Sequence, residues 1–174
     1  MVVWHNPSQE RLMTMRAAVI GASGGIGGAL LAEVHRRFGG QGLYALARDP
    51  ARVRQPAAAV LPLHLGDEAS IAAAALAIGR DGPLDLVLVA SGALTLADVA
   101  GPEKALRALD PAAMAESYAV NAIGPALVAK HFLPLLARDR RAVFAALSAR
   151  VGSISDNRLG GWHSYRAAKA ALNM

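Results

Sequence analysis

A run of very small residues, Val19-Ile20-Gly21-Ala22-Ser23-Gly24-Gly25-Ile26-Gly27-Gly28-Ala29-Leu30, joins a short apolar strand to an apolar helix with almost no side chain between them. No other segment constrains the fold as tightly. Without Cβ atoms the backbone reaches left-handed angles and comes close to a bound anion, while the first free amides of the next helix aim their donors and dipole at it. The turn reads as a seat for a dinucleotide pyrophosphate. Glycines 21, 25 and 27 are spaced G-x-x-x-G-x-G, not G-x-G-x-x-G, and Ser23 adds a hydroxyl donor. The expected contacts are Gly21, Ser23, Gly24, Gly25, Ile26 and Gly27; the competing reading is a plain glycine-rich loop.

Apolar runs of strand length near 16–21, 42–48, 58–64, 84–90 and 141–148 alternate with helical patterns near 25–38, 68–79 and 111–137. That rhythm predicts an α/β fold, a doubly wound parallel sheet of Rossmann type in three α/β/α layers. Leu84-Asp85-Leu86-Val87-Leu88-Val89-Ala90 is nearly all apolar and does not alternate, as a strand covered on both faces should be. At 174 residues and 54% hydrophobic, the chain suffices for one core. The expected organisation is a flexible extension over 1–14, or an upstream translation start, followed by a nucleotide-binding domain over 15–174.

Other classes find little support. With no cysteine and no H-x-x-x-H among five histidines, neither disulfides nor a metal site is expected. The net charge of +5 is carried by dispersed pairs such as Arg36-Arg37, a solvated surface more than a nucleic-acid face. No apolar run is long enough for a membrane span, and the N-terminus lacks a signal-peptide layout, so a soluble, cytoplasmic protein is expected.

Near the end, Tyr165-Arg166-Ala167-Ala168-Lys169 sets a phenol and an ammonium four residues apart, on one face of a helix. A neighbouring Lys⁺, with the positive ring of an oxidised nicotinamide, favours the phenolate and is expected to lower the tyrosine pKa toward the working pH for general acid–base chemistry. Alone, the pattern is a common surface-helix pair.

The glycine spacing, Asn121 in the long fourth helix and Tyr165-x-x-x-Lys169 after the fifth strand occur in the order of the short-chain dehydrogenase/reductase family, which the chain resembles over 16–174. Ser148 to Asn157, continuing through Gly160-Gly161-Trp162-His163-Ser164-Tyr165, looks like the branch of C-factor-like and sniffer-like carbonyl reductases. The resemblance implies hydride transfer between NADPH and a small ketone or aldehyde, with Tyr165 as proton donor, Lys169 on the ribose hydroxyls and Asn121 at a proton-relay water. Pro125 supplies a physical reason for the last role, since it has no amide proton to return to the carbonyl of Asn121; otherwise Gly124-Pro125 merely bends the helix.

Departures from the family pattern are equally specific. The serine expected three residues before Gly152 is Ala149; Ser148 and Ser153 flank it, and either polarises a substrate carbonyl if the strand end is shifted, or both are loop serines. His64, beside Leu65, stands where an acidic residue touches adenine, and Val89-Ala90-Ser91-Gly92 replaces Asn-Asn-Ala-Gly, leaving backbone contacts at Leu65, Ser91 and Gly92. Arg48 ends the second strand where an acidic side chain would hold the ribose of NAD, so NADP is expected ahead of NAD unless Arg48 simply faces solvent. The family normally continues past the Tyr-Lys helix, so a C-terminally incomplete chain is expected, homodimeric or homotetrameric when full length. The alternative is a truncated, catalytically weak dinucleotide-binding protein with a C-factor-like signalling role.

Overall fold

A computed structural model describes residues 15–95 and 101–174; the expected extension over 1–14 lies outside the described residues. Five parallel strands, β1 (Ala17–Ile20), β2 (Leu43–Ala47), β3 (Ala59–Pro62), β4 (Leu86–Val89) and β5 (Val143–Ala146), form one sheet in the order β3-β2-β1-β4-β5. Helices α1 (Gly25–Phe38), α2 (Glu68–Gly79), α3 (Pro111–Tyr118), α4 (Gly124–Phe132) and α5 (His163–Asn173) flank it. This is the doubly wound Rossmann-type arrangement expected from the alternation of strand and helix patterns.

Successive strand residues point to opposite faces, so the two sides of β1 enter two separate cores. Ala17 and Val19 join Leu43, Ala45, Leu31 and Val34 under α1. Ala18 and Ile20 join Leu46, Val87, Val89, Ile71, Val128 and Phe132 under α2 and α4. At the amino end of the sheet, Asp85 accepts the Arg16 amide at 2.9 Å and Arg140 Nε at 2.5 Å, closing that rim with charge.

The single helix expected over 111–137 is corrected. It runs as α3, a π-helical turn over Ala119–Ile123, α4, and a 3-10 turn at Leu133–Leu135. Gly124 N–H bonds back five residues to the Ala119 carbonyl, and Pro125, which has no N–H, follows at the point of reset. Pro134 then ends the helix earlier than periodicity suggested by removing another amide.

Candidate functional site

Because all strands run parallel, their carboxyl ends share one rim. The strand order reverses between β1 and β4, and at that point the flanking loops part into a cleft. It measures about 300 Å³ and is lined by Gly21, Ser23, Gly24, Arg48, His64, Leu65, Ser91 and Gly92, bringing together eight of the residues singled out in the sequence.

The glycines of the turn answer to measurable steric demands. Gly21 has φ +85°, and a Cβ on it would sit 2.6 Å from Ser91 Oγ and 2.9 Å from Ser91 N. A Cβ on Gly27 would lie 2.0 Å from the Gly21 carbonyl oxygen, so α1 starts directly against the end of β1. Gly25 has open space around the Cβ position, and Ile26 is exposed on the first turn of α1. Room over Gly25 is what an approaching ligand requires.

Beside the turn, Arg48 lines the cleft with Arg52, and Arg52 and Arg54 line an adjoining depression that reaches Ser23, Gly24 and Gly25. All three arginines are exposed, and none makes a salt bridge within the described residues. The sequence reading named Arg48 alone. Arg52 and Arg54 arrive through a 3-10 turn at Pro50–Arg52, capped by Asp49, which accepts the Ala51 amide at 3.1 Å. Across the cleft, His64 Nδ1 accepts the Gly66 amide at 3.1 Å, which leaves Nε2 to carry the proton of the neutral ring.

On the β4 side the site is held by side chains. Asn121 is fully buried in the π turn; its Oδ1 accepts the Ala93 amide at 3.0 Å and its Nδ2 donates to the Ala93 carbonyl at 2.9 Å. A third bond, from Nδ2 to the Ser117 carbonyl at 3.1 Å, ties the clasp to α3. The Asn121 side chain thus holds the loop after β4 as a neighbouring strand would, a role that sequence spacing did not suggest.

Lys169 is 2% exposed and its Nζ donates to the Leu147 carbonyl at the end of β5 at 2.9 Å. Gly92 makes space for it, since a Cβ there would lie 3.3 Å from Nζ and 3.1 Å from Asn121 Oδ1. The ammonium sits 5.8 Å from the centroid of the Tyr165 ring. Burial pushes the Tyr165 phenol up and the Lys169 ammonium down from their ordinary values. The expected lowering of Tyr165 by Lys169 is therefore corrected for the protein's own groups. Withdrawal of water is the cause of both shifts.

The serines around Ala149 have local partners. Ser148 Oγ donates to Asn173 Oδ1 at 2.5 Å, and Ser153 Oγ accepts the Asp156 amide at 3.2 Å within its own turn. Tyr165 lines a different, smaller cavity, with Ser117, Ser164 and Glu103, that includes neither serine. Glu103 was invisible in the sequence because its contacts reach 61 residues along the chain to Ser164. Burial raises its carboxyl, but the Ser164 hydroxyl, backbone amides and the nearby His163 outweigh that and hold it below the usual value.

Among the described residues, no helix is long and apolar enough to cross a membrane. Comparison with known proteins agrees with the fold. A 93-residue stretch is 38% identical to the C-signal of Myxococcus xanthus, covering 53% of this chain and 52% of that protein. A 158-residue stretch is 30% identical to a 1-hydroxy-2-glutathionyl-2-methyl-3-butene dehydrogenase of Rhodococcus, covering 90% and 66% respectively. The chain thus spans about half to two thirds of the length of these curated relatives. Among solved structures, NADPH-bound carbonyl reductase from chicken fatty liver superposes with TM-score 0.77 at 28% identity, over 97% of this chain and 71% of that one. The Caenorhabditis elegans protein described as a carbonyl reductase, Sniffer, gives TM-score 0.79 at 27% identity, over 91% and 74%. The family model for short chain dehydrogenases matches residues 15–174, and the chain belongs to that family.

Proposed function

We infer that this chain carries the nucleotide-binding and proton-transfer halves of an NADPH-dependent carbonyl reductase. The observation that carries the reading is the approach, at Gly92 on the wall of the backbone-lined cleft over Gly21, of the buried Lys169 from the helix that also bears Tyr165. The cradle fits a dinucleotide: at Gly21 and Gly27 an added Cβ would collide with backbone, and Gly25 is open above the first amides of α1. Arg48, with Arg52 and Arg54 nearby, offers guanidinium groups to a 2′-phosphate, which favours NADP over NAD.

When bound there, a reduced nicotinamide would supply the hydride for the carbonyl carbon of a ketone or aldehyde. Tyr165 donates its phenolic proton to the carbonyl oxygen, so that the alcohol leaves with both bonds satisfied. A phenol held above its ordinary pKa by burial is the protonated acid that the reductive direction requires. Lys169, anchored by Leu147 and given room by Gly92, presents its ammonium beside the cleft for ribose hydroxyls, and the π turn at Asn121 keeps the loop after β4 in place.

Tyr165→Phe tests the reading. Carbonyl reduction should fall about 100-fold or more while NADPH titration by fluorescence stays within about twofold, and retained turnover rejects Tyr165 as the acid. Cofactor choice is tested by Arg48→Ala. It should lower the NADPH-to-NADH affinity ratio by about tenfold or more, the loss of one charge-assisted phosphate contact; an unchanged ratio removes Arg48 from the site. A second reading, a weakly catalytic nucleotide-binding domain with a signalling role, draws on Ala149 in place of a serine and on the likeness to C-signal. Saturable NADPH binding with no turnover of any ketone or aldehyde would favour it.

A further inference from the structure

The helix that carries Tyr165 and Lys169 begins in an unusual way. Gly160, Gly161 and Trp162 have φ of 62°, 66° and 53°, three left-handed residues in succession, and Trp162 is the only non-glycine residue with positive φ among those described. A left-handed conformation is strained for an L-residue with a bulky side chain, so other contacts must hold Trp162 there. Trp162 also gives α5 no side-chain cap. The first amides of the helix therefore need acceptors from elsewhere.

Those acceptors come from the segment leading toward α3. The Glu103 carbonyl accepts the Trp162 amide at 2.5 Å, Glu103 Oε2 accepts the Ser164 amide at 3.4 Å, and the Ser164 hydroxyl donates to Glu103 Oε1. Ser164 is 5% exposed, so the hydroxyl end of this bond is buried, while Glu103 is partly buried. Glu103 lines the same small cavity as Tyr165, and its negative charge lies at the positive end of the α5 dipole. The backbone at Gly161 also runs close to it, since a Cβ there would sit 3.5 Å from the Glu103 carbonyl oxygen.

We propose that Glu103 is a positioning residue: by capping α5 from across the chain it fixes where the Tyr165 phenol stands. Its catalytic consequence rests on the carbonyl-reductase reading, whereas the clasp itself does not. Ser164 is the only residue of the first turn of α5 that bonds Glu103 through both amide and hydroxyl, and the next residue is Tyr165. A release of the clasp therefore moves the acid before it disturbs the sheet.

The test compares wild type with Glu103→Ala, Glu103→Gln and Ser164→Ala. Glu103→Ala should speed amide hydrogen exchange at residues 163–166 about tenfold or more while leaving β1 and β2 protected. It should also move the ultraviolet titration of Tyr165, read as the difference from Tyr165→Phe, downward toward an ordinary tyrosine as the phenol gains water. Glu103→Gln, which keeps an acceptor for the Ser164 hydroxyl, should restore most of both effects, and Ser164→Ala should give an intermediate result. In turnover, Glu103→Ala should lower kcat about tenfold with KM for the carbonyl changed less than twofold.

Unaltered exchange at 163–166 in Glu103→Ala overturns the clasp. Faster exchange with an unmoved Tyr165 titration reduces Glu103 to a structural cap and overturns positioning, as does kcat unchanged in an active enzyme. If wild type itself shows no turnover, the carbonyl-reductase reading fails, and exchange and titration still decide the role of Glu103. Should Glu103→Ala not fold, Ser164→Ala decides by the same two readouts.

Discussion

Around β1 and β2 the cleft is made of backbone, and around β4 and β5 it is made of side-chain hydrogen bonds. On the first side, every residue of both strands is buried and the turn works by what is missing, as the 2.0 Å between a Gly27 Cβ and the Gly21 oxygen shows. On the second, β5 is only partly covered, and order is imposed by Asn121 on Ala93, Lys169 on Leu147 and Glu103 on Ser164. The two constructions fail differently. A steric seat admits no intermediate state, because a methyl group either fits or displaces backbone. A hydrogen-bonded frame loses stability bond by bond and can keep its shape with one missing.

The largest contrast should come from two alanines in the same turn. Gly27→Ala forces the Gly21 carbonyl aside and should cost about 3 kcal/mol in urea unfolding, the upper end for overpacking, with NADPH binding lost. Gly25→Ala has open space at its Cβ and should leave stability within about 0.5 kcal/mol while still weakening NADPH, because the methyl occupies the ligand's approach. Equal effects at both positions would break the claim that sterics fix this side.

On the other side, Asn121→Ala strands the Ala93 amide and carbonyl and should cost about 1–3 kcal/mol, while the strand core keeps its hydrogen-exchange protection. Complete unfolding would show that the side-chain frame is as unforgiving as the glycine turn.

The smallest effect belongs to the outer face of α1, where Glu33 bonds Arg36 and Arg37 and its carboxyl drops from 4.5 to about 2. A lowered folded pKa means that its contribution is present above pH 4.5 and is lost as pH falls through about 2. The pair is exposed, so solvent and salt discount it heavily. Glu33→Gln should lower the melting temperature only slightly at neutral pH, and the two curves should converge as pH falls through about 2, where Glu33 is itself neutral; a shift of several degrees at pH 7 would show that exposed charge matters more to α1 than its apolar face.

The same division explains what was legible in the sequence. The glycine turn, the order of strands and the Tyr-Lys pair are local patterns, and local patterns reflect steric limits that act within a few residues. Arg52 and Arg54 were missed although near Arg48 in the chain, because a 3-10 turn and the residues after it, not a strand, bring Arg52 to the cleft and Arg54 to the depression beside it. Asn121 was legible as a residue, but its partner Ala93 was not, since the clasp closes across 28 residues onto backbone groups that every residue possesses. Glu103 lay beyond reach for the same reason. The long helix was overextended because the segment stays helical and apolar through the π turn, whose sequence mark is Gly124-Pro125, and through the 3-10 turn at Pro134 that ends it.

The burial of β1 on both faces bears on how the sheet finds its register during folding. In a half-exposed strand, a slip of one residue is punished by turning apolar side chains to water. Here a slip would exchange Ala17 and Val19 for Ala18 and Ile20 between two apolar cores, and polarity offers no objection. What objects is Gly21. A one-residue shift would bring Ile20 or Ala22 to the φ +85° position against Ser91, where a Cβ cannot stand. The glycine turn therefore acts as the alignment pin of the central strand, and whatever the turn binds, these glycines are held in place by the need to fold in one register.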